Sequence, residues 1–275
     1  MNLLGSHSTE IISVLEDNLI KPEEGLYKQY QLLEVYGAND VDPKTGFISK
    51  QFLNPEISAL KQVQAAKHLA IDLPVYLTDE SAKSNVMICA MDPLSEHKKK
   101  DKIGLWNPFS ILRNPENHQG SDASNHAFFS PLKNEFNLYI TDIYKLYFMY
   151  EGKKSNKISA YTKINVHKAI LELEIKIIKP EFIITLGNSA KDALLNIFNN
   201  NESHLISRDV EGVEIYESVN LDFKIICLPH ISGLASTSKN KLLVGKNIEG
   251  KYINEKLARF LITILNKQLN KQLNK

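Results

Sequence analysis

Cysteine is almost absent from this chain. Cys89 and Cys227 are the only two in 275 residues, too few for a four-cysteine zinc or iron–sulfur site. Both lie inside apolar runs and read as buried free thiols in a reducing compartment. No uninterrupted apolar stretch approaches the ~18 residues that a membrane-spanning helix needs, and the first residues show no basic segment leading into a long apolar one. A cytoplasmic protein with no membrane partner is the expectation. Charge of one sign is also lacking. Against 33 Lys and Arg stand 32 Asp and Glu, a net +1, so any polyanion would have to be held by a local basic face. Neither a Gly-x-Ser-x-Gly elbow nor a Gly-x-x-x-x-Gly-Lys loop occurs, which argues against a serine hydrolase or a phosphate-loop enzyme. No cofactor and no metal is expected.

What is present is a 43% hydrophobic chain, enough for one large domain with extensions. The first 80 residues read as a helical N-terminal extension, with helices at Ile11 to Ile20 and Pro55 to Ala70. The polar stretch Ser95 to Pro131 carries Lys98, Lys99, Lys100 and Lys102 and reads as a long loop. Short apolar runs at Val86 to Met91, Asn137 to Thr141, Glu181 to Leu186, Val213 to Ser218 and Lys224 to Leu228 read as strands. Helical spacing recurs over Asn165 to Lys179, where Pro180 stops it, over Ala190 to Phe198, and in a last helix from Ile253. Strands alternating with helices predict a three-layer α/β/α fold with a central, largely parallel sheet. The main domain is expected over 81–265, followed by a frayed tail at 266–275 in which Asn-Lys-Gln-Leu repeats.

Two strand ends carry the chemistry. Val86-Met-Ile-Cys-Ala-Met-Asp-Pro93 ends in Asp92, and Ile225-Ile-Cys-Leu-Pro-His-Ile-Ser-Gly-Leu-Ala235 delivers His230. Ligands of open α/β sheets sit beyond the carboxyl ends of the strands, so an acid and an imidazole from two such ends suit one pocket. With Leu138-Tyr-Ile-Thr-Asp142 and Ile178-Lys-Pro-Glu-Phe-Ile-Ile-Thr-Leu-Gly187, these segments resemble the motifs of the uracil-DNA glycosylase superfamily, in order, from Val86 to the last helix. Ala90-Met91-Asp92-Pro93-Leu94 is similar to the water-activating Gly-Gln-Asp-Pro-Tyr motif. The 229–234 run is similar to the loops that enter the DNA minor groove. With only two cysteines, the iron–sulfur branches are excluded.

The resemblance implies a monofunctional DNA glycosylase: a monomer that binds double- or single-stranded DNA, flips a pyrimidine out and hydrolyses its N-glycosidic bond, leaving an abasic site. Such a bond breaks through a cation-like sugar and an anionic base. Asp92 would orient water and stabilise the sugar, while His230 would donate to O2 of the departing base. Met91, Leu94, Phe109 and Asp142 would line the base pocket, with Phe109, or Trp106 in its place, stacking on the flipped ring. Leu234 occupies the position of the wedge that fills the gap in the stack. Ser232, Gly233, Ser236, Lys239 and Lys241 would meet the backbone, with Thr237, Ser238 and Lys246 nearby.

Two departures from the family pattern bear on the substrate. Asp142 stands where uracil enzymes usually carry Asn, and Leu94 where the classical family has a Tyr against C5 of uracil. An ionised carboxylate only accepts hydrogen bonds, so it repels uracil O4 and suits the N4 amino group of cytosine, and a shared proton would satisfy N3. Loss of the Tyr ring makes room for a substituent at C5. Together they favour a modified cytosine, such as the hydroxymethylated or glucosylated base of phage DNA. Alternatives are a uracil-excising repair enzyme, a base-sensing module without turnover, and, if Asp142 instead caps a following helix, a deaminated purine as target.

Overall fold

The computed structural model describes residues 3–39, 47–66, 68–78, 80–91, 102–112, 121–149, 166–198 and 204–273. In chain order the helices are α1 (Ser8–Asn18), α2 (Gly25–Asn39), α3 (Pro55–Ser58), α4 (Lys61–Gln64), α5 (Ser121–Glu135), α6 (Val166–Ile178), α7 (Asn188–Phe198), α8 (Ser236–Leu243) and α9 (Ile253–Leu273). The strands are β1 (Phe47–Ser49), β2 (His68–Asp72), β3 (Val75–Tyr76), β4 (Asn85–Ala90), β5 (Lys102–Trp106), β6 (Asn137–Asp142), β7 (Tyr147–Met149), β8 (Phe182–Leu186), β9 (Ile206–Val210), β10 (Val213–Glu217) and β11 (Lys224–Leu228). They form two sheets, ordered β1-β5-β2-β7 and β3-β6-β4-β8-β11-β10-β9.

The α/β class holds, but the larger sheet is mixed. Strands β4, β8 and β11 run parallel, with Ile88 opposite Ile184 and Ile184 opposite Ile226, whereas β10 and β9 add on as an antiparallel hairpin. The parallel trio is apolar on both faces because both are covered: every residue of β8 is buried. At the open edge, β9 is almost wholly exposed.

By its contacts the chain divides into two units. One comprises 1–76, 90–114 and 140–178. It holds the smaller sheet and packs α1 against α6, whose Ile170, Leu171, Glu174 and Ile178 share one buried face. The other comprises 77–89, 115–139 and 179–275. There α9 buries Leu257, Leu261, Ile264 and Leu265 and packs along α5.

Three expectations need correction. The first 80 residues are not simply helical: β1 and β2 pair with β5, and Pro55 to Ala70 is two single turns followed by β2. Leu69, Ala70 and Ile71 are all fully buried. They pair along β5, whose alternation Lys-Ile-Gly-Leu-Trp lies within the stretch expected to be loop, as does the start of α5. Nor does the tail fray at 266, because α9 continues to Leu273, with Gln268 buried and accepting from Lys224 Nζ at 3.2 Å. Cys89 and Cys227 are both free thiols, and burial pushes the Cys227 thiol up to about 11.

The first unit encloses a fully buried ion pair. Lys145 Nζ donates to Glu174 Oε2 at 2.6 Å and to Thr141 Oγ1 at 2.5 Å, and both charged side chains have no exposure. Beside it His167 accepts the Lys145 backbone N–H at Nδ1, 3.0 Å away, and must therefore be neutral. Burial, then the Lys145 charge, lower its pKa to about 3. Below its ordinary value near 6.5 the unfolded chain binds a proton there that the folded protein refuses. Stability from this residue therefore falls with pH by ~1.4 kcal/mol per pH unit, from about 6.5 down to about 3. Urea unfolding at a series of pH values checks this: His167→Gln, which keeps an acceptor, should flatten the slope by one proton, and an unchanged slope would contradict it.

Candidate active site

Of the residues expected at the site, Asp92 and Leu94 lie outside the described residues. Met91, Phe109 and Asp142 belong to the first unit. Asp142 is the last residue of β6 and is 1% exposed. No helix begins after it. The next three backbone N–H groups instead bind Ala90 O (from Ile143, 3.0 Å), Met91 O (from Tyr144, 2.9 Å) and His167 Nδ1. The end of β6 is thereby tied to the residue that directly precedes Asp92 in the chain, and the helix-capping alternative for Asp142 falls.

Phe109 follows β5 in a 3₁₀ turn at Pro108–Ser110 and has φ +59°, with Ser110 at +52°. Two successive non-glycine residues in the left-handed region cost roughly 1 to 3 kcal/mol each and collect at functional sites. The turn is tied down by Asn107, whose Oδ1 accepts from Leu112 N at 3.1 Å. Trp106 stacks edge-on against Phe47 of β1, with centroids 6.3 Å apart. That contact gives Trp106 a packing role, and both Trp106 and Phe109 are partly exposed.

The second unit carries the 229–236 loop, which leaves β11. His230 Nδ1 accepts the backbone N–H of Ser232 at 3.0 Å. A nitrogen that accepts cannot carry the proton, so the imidazole is neutral with its hydrogen on Nε2, a donor. Burial, then the nearby Lys239 charge, hold its pKa below the ordinary histidine value, which reinforces that tautomer. Underneath lies Gly187, the turn between β8 and α7, at φ +93°. A Cβ there would sit 3.3 Å from His230 Cβ, so only glycine gives both the turn and the close approach. Its N–H also binds Leu228 O at 2.8 Å.

Leu234 projects from a 3₁₀ turn at Gly233–Ala235 and is completely exposed. A leucine packed inward is thereby ruled out. Lys241 is exposed, as are Thr237 and Ser238. Two residues expected to meet the backbone do something else. The Ser236 hydroxyl donates to Gly233 O and stiffens the turn. Lys239 is 1% exposed and turned inward, its Nζ bound to Ile231 O, Ser232 O and Asn254 Oδ1. Lys246, too, is engaged, by Glu211 at 3.8 Å and the Phe260 ring at 4.6 Å. Sequence reasoning missed Asn254, which has no local motif and lies 23 positions beyond the carbonyl it binds.

The geometry therefore supplies a neutral imidazole donor on a braced loop, an exposed apolar side chain four residues on, and, in the first unit, a buried carboxyl group with a strained aromatic turn. A family model described as the uracil DNA glycosylase superfamily matches residues 77–249, more than half of the chain. No curated protein matches it.

Proposed function

The chain belongs to the uracil DNA glycosylase superfamily, and from that membership and its departures from the family pattern we propose a monofunctional glycosylase that excises a modified cytosine from DNA. The observation that carries the base preference is Asp142, a carboxyl group buried at the end of β6. A carboxyl that shares one proton with N3 and accepts from the N4 amino group matches a cytosine edge, whereas a carboxylate faces uracil O4 with two acceptors. Leu94 in place of the family's Tyr is consistent with a C5 substituent such as hydroxymethyl or glucosyl-hydroxymethyl. Ordinary cytosine must be rejected, since an enzyme that removed it would destroy its own genome. Cytosine modified in this way in phage DNA is the target this reading implies, and defence against such DNA the role.

In the reaction, the target leaves the stack at a cost of a few kcal/mol and Leu234 takes its place. Asp92 orients the water that attacks C1′ of the sugar. The C1′–N1 bond breaks, the electron pair leaves with the base, and His230 Nε2–H binds the negative charge growing on O2. A neutral imidazole suits this task because it stabilises the anion by a hydrogen bond without needing to give up its proton. The proton that the attacking water loses neutralises the departed base anion, so the products are a free base and an abasic site.

Because Leu234 has no packing to lose, Leu234→Ala should leave thermal stability unchanged and slow excision from duplex about tenfold or more while sparing single-stranded DNA. Equal loss on both substrates in single-turnover assays would argue against a wedge. The substrate itself is tested with oligonucleotides carrying uracil, cytosine, 5-hydroxymethylcytosine or glucosylated hydroxymethylcytosine, followed by alkaline cleavage. Cleavage confined to a modified cytosine is expected. Cleavage at uracil alone would return the protein to base repair, and cleavage nowhere would make it a base-sensing module.

A further inference from the structure

Among the described residues of the second unit Lys239 is the most deeply buried lysine, and its surroundings explain why. An ammonium has three N–H donors, and here three oxygens receive them: Ile231 O at 3.0 Å, Ser232 O at 2.9 Å and Asn254 Oδ1 at 2.7 Å. Asn254 is itself fully buried. Its Nδ2 donates to Ile231 O at 2.7 Å and reaches Ser124 O and Oγ at 3.0 and 2.9 Å, which joins the starts of α9 and α5 to the loop. The two carbonyls gripped in this way belong to the residues directly after His230. The Ser232 peptide links the grip to the imidazole, because its carbonyl accepts from Lys239 while its N–H donates to His230 Nδ1. Among the described residues every hydrogen-bond partner of Lys239 is an uncharged oxygen. A buried cation in such company is costly compared with an apolar residue of the same shape. Its return is the fixed position of one loop.

We propose that Lys239 and Asn254 form a buried clamp that positions the 229–235 loop, with His230 and Leu234 on it, for base extrusion and excision, so that Lys239 is a positioning residue and not a phosphate contact. The proposal rests on the glycosylase reading for its functional consequence and on the hydrogen bonds alone for its structural one. Burial and the lowered pKa of Lys239, caused by desolvation, agree with it.

Two experiments separate these. In the first, the unmodified protein is acetylated with an N-hydroxysuccinimide ester, with and without a short duplex, and read by peptide mass spectrometry. Lys239 should react at least roughly tenfold more slowly than Lys241 and be indifferent to DNA, as a buried ammonium requires. Labelling of Lys239 as fast as Lys241, and slowed by DNA, would overturn the clamp. The second compares Lys239→Met with the unaltered protein on a cleavable duplex. The single-turnover rate should fall about 100-fold, the scale of a misplaced catalytic group. Affinity for an abasic duplex should stay within about threefold, with an unchanged salt slope. A phosphate contact would give the opposite split: weaker affinity, a salt slope smaller by about one, and an intact rate at saturation. That result would overturn the proposal. If Lys239→Met does not fold, Asn254→Ser takes its place with the same expectation. Should the unaltered protein excise no base, the glycosylase reading fails by itself. Faster hydrogen exchange at the Ser232 amide in either variant then supports the clamp, and unchanged exchange overturns it.

Discussion

His230→Ala should lower the rate of base excision by about 10² to 10³, the usual cost of removing one donor aimed at a developing oxyanion. Affinity for an abasic duplex should change little, because a site without the base offers no O2 for the imidazole to bind, whereas the bond to O2 strengthens as the base departs in the reaction. The pH dependence distinguishes this role from general acid catalysis. Burial and the Lys239 charge lower the His230 pKa, and the Ser232 N–H occupies Nδ1 at 3.0 Å, so the imidazole holds its neutral form to lower pH than an ordinary histidine does. Its contribution to excision should therefore be constant from pH 8 downward until the imidazole protonates, which comes at lower pH than in an ordinary histidine and breaks the Ser232 bond at Nδ1. A rate that climbs as pH drops through 6.5, and loses that climb in His230→Ala, would show an imidazolium proton donor instead. Single-turnover rates across this range, for both proteins, decide it.

Lys145→Met carries the largest expected effect on stability. Lys145 and Glu174 face each other at 2.6 Å with no exposure, so removing the cation leaves a carboxylate buried with the Thr141 hydroxyl at 3.3 to 3.4 Å as its remaining hydrogen-bond donor among the described residues. Breaking one side of such a pair costs about 3 to 5 kcal/mol, while replacing both partners by apolar residues is often neutral. For a chain of this size that corresponds to roughly 10 °C in Tm. Lys145→Met with Glu174→Met should recover most of the loss. Thermal unfolding of the two proteins tests this, and a single variant within about 1 kcal/mol of the parent would show that the pair is solvated rather than buried. Lys145 lies three residues after Asp142 and donates to Thr141 of β6, so the single variant should also loosen the end of β6.

The parts of the fold legible in the sequence are those where burial leaves no choice of residue. β4, β8 and β11 are central strands whose side chains are mostly buried, and appear as predominantly apolar runs such as Phe-Ile-Ile-Thr-Leu. α6 and α7 are bounded by residues with backbone reasons to be there, Pro180 and Gly187. β2 and β5 were hidden because their pairing is with each other. His68 to Asp72 reads locally as the end of a helix, and Lys102 to Trp106 sits in a lysine-rich stretch that resembles solvated loop. The site divides in the same way. His230 and Leu234 are set by one contiguous loop, which sequence order reveals. Lys239 sits among serines and lysines that look like a phosphate-binding face, and only the fold turns it inward onto Asn254, 15 residues later.

If Asp142 selects a cytosine edge, Asp142→Asn should reverse the base preference. The substitution changes one oxygen to an amide nitrogen at a position 1% exposed, so shape is conserved and only the hydrogen-bonding pattern moves. With matched oligonucleotides carrying uracil or 5-hydroxymethylcytosine, excision of the modified cytosine should fall and excision of uracil should appear or rise, an exchange of preference of about 10² or more. If Asp142→Asn leaves the ranking of the two bases as it was, the carboxyl group does not read the base, and the account of the substrate is wrong.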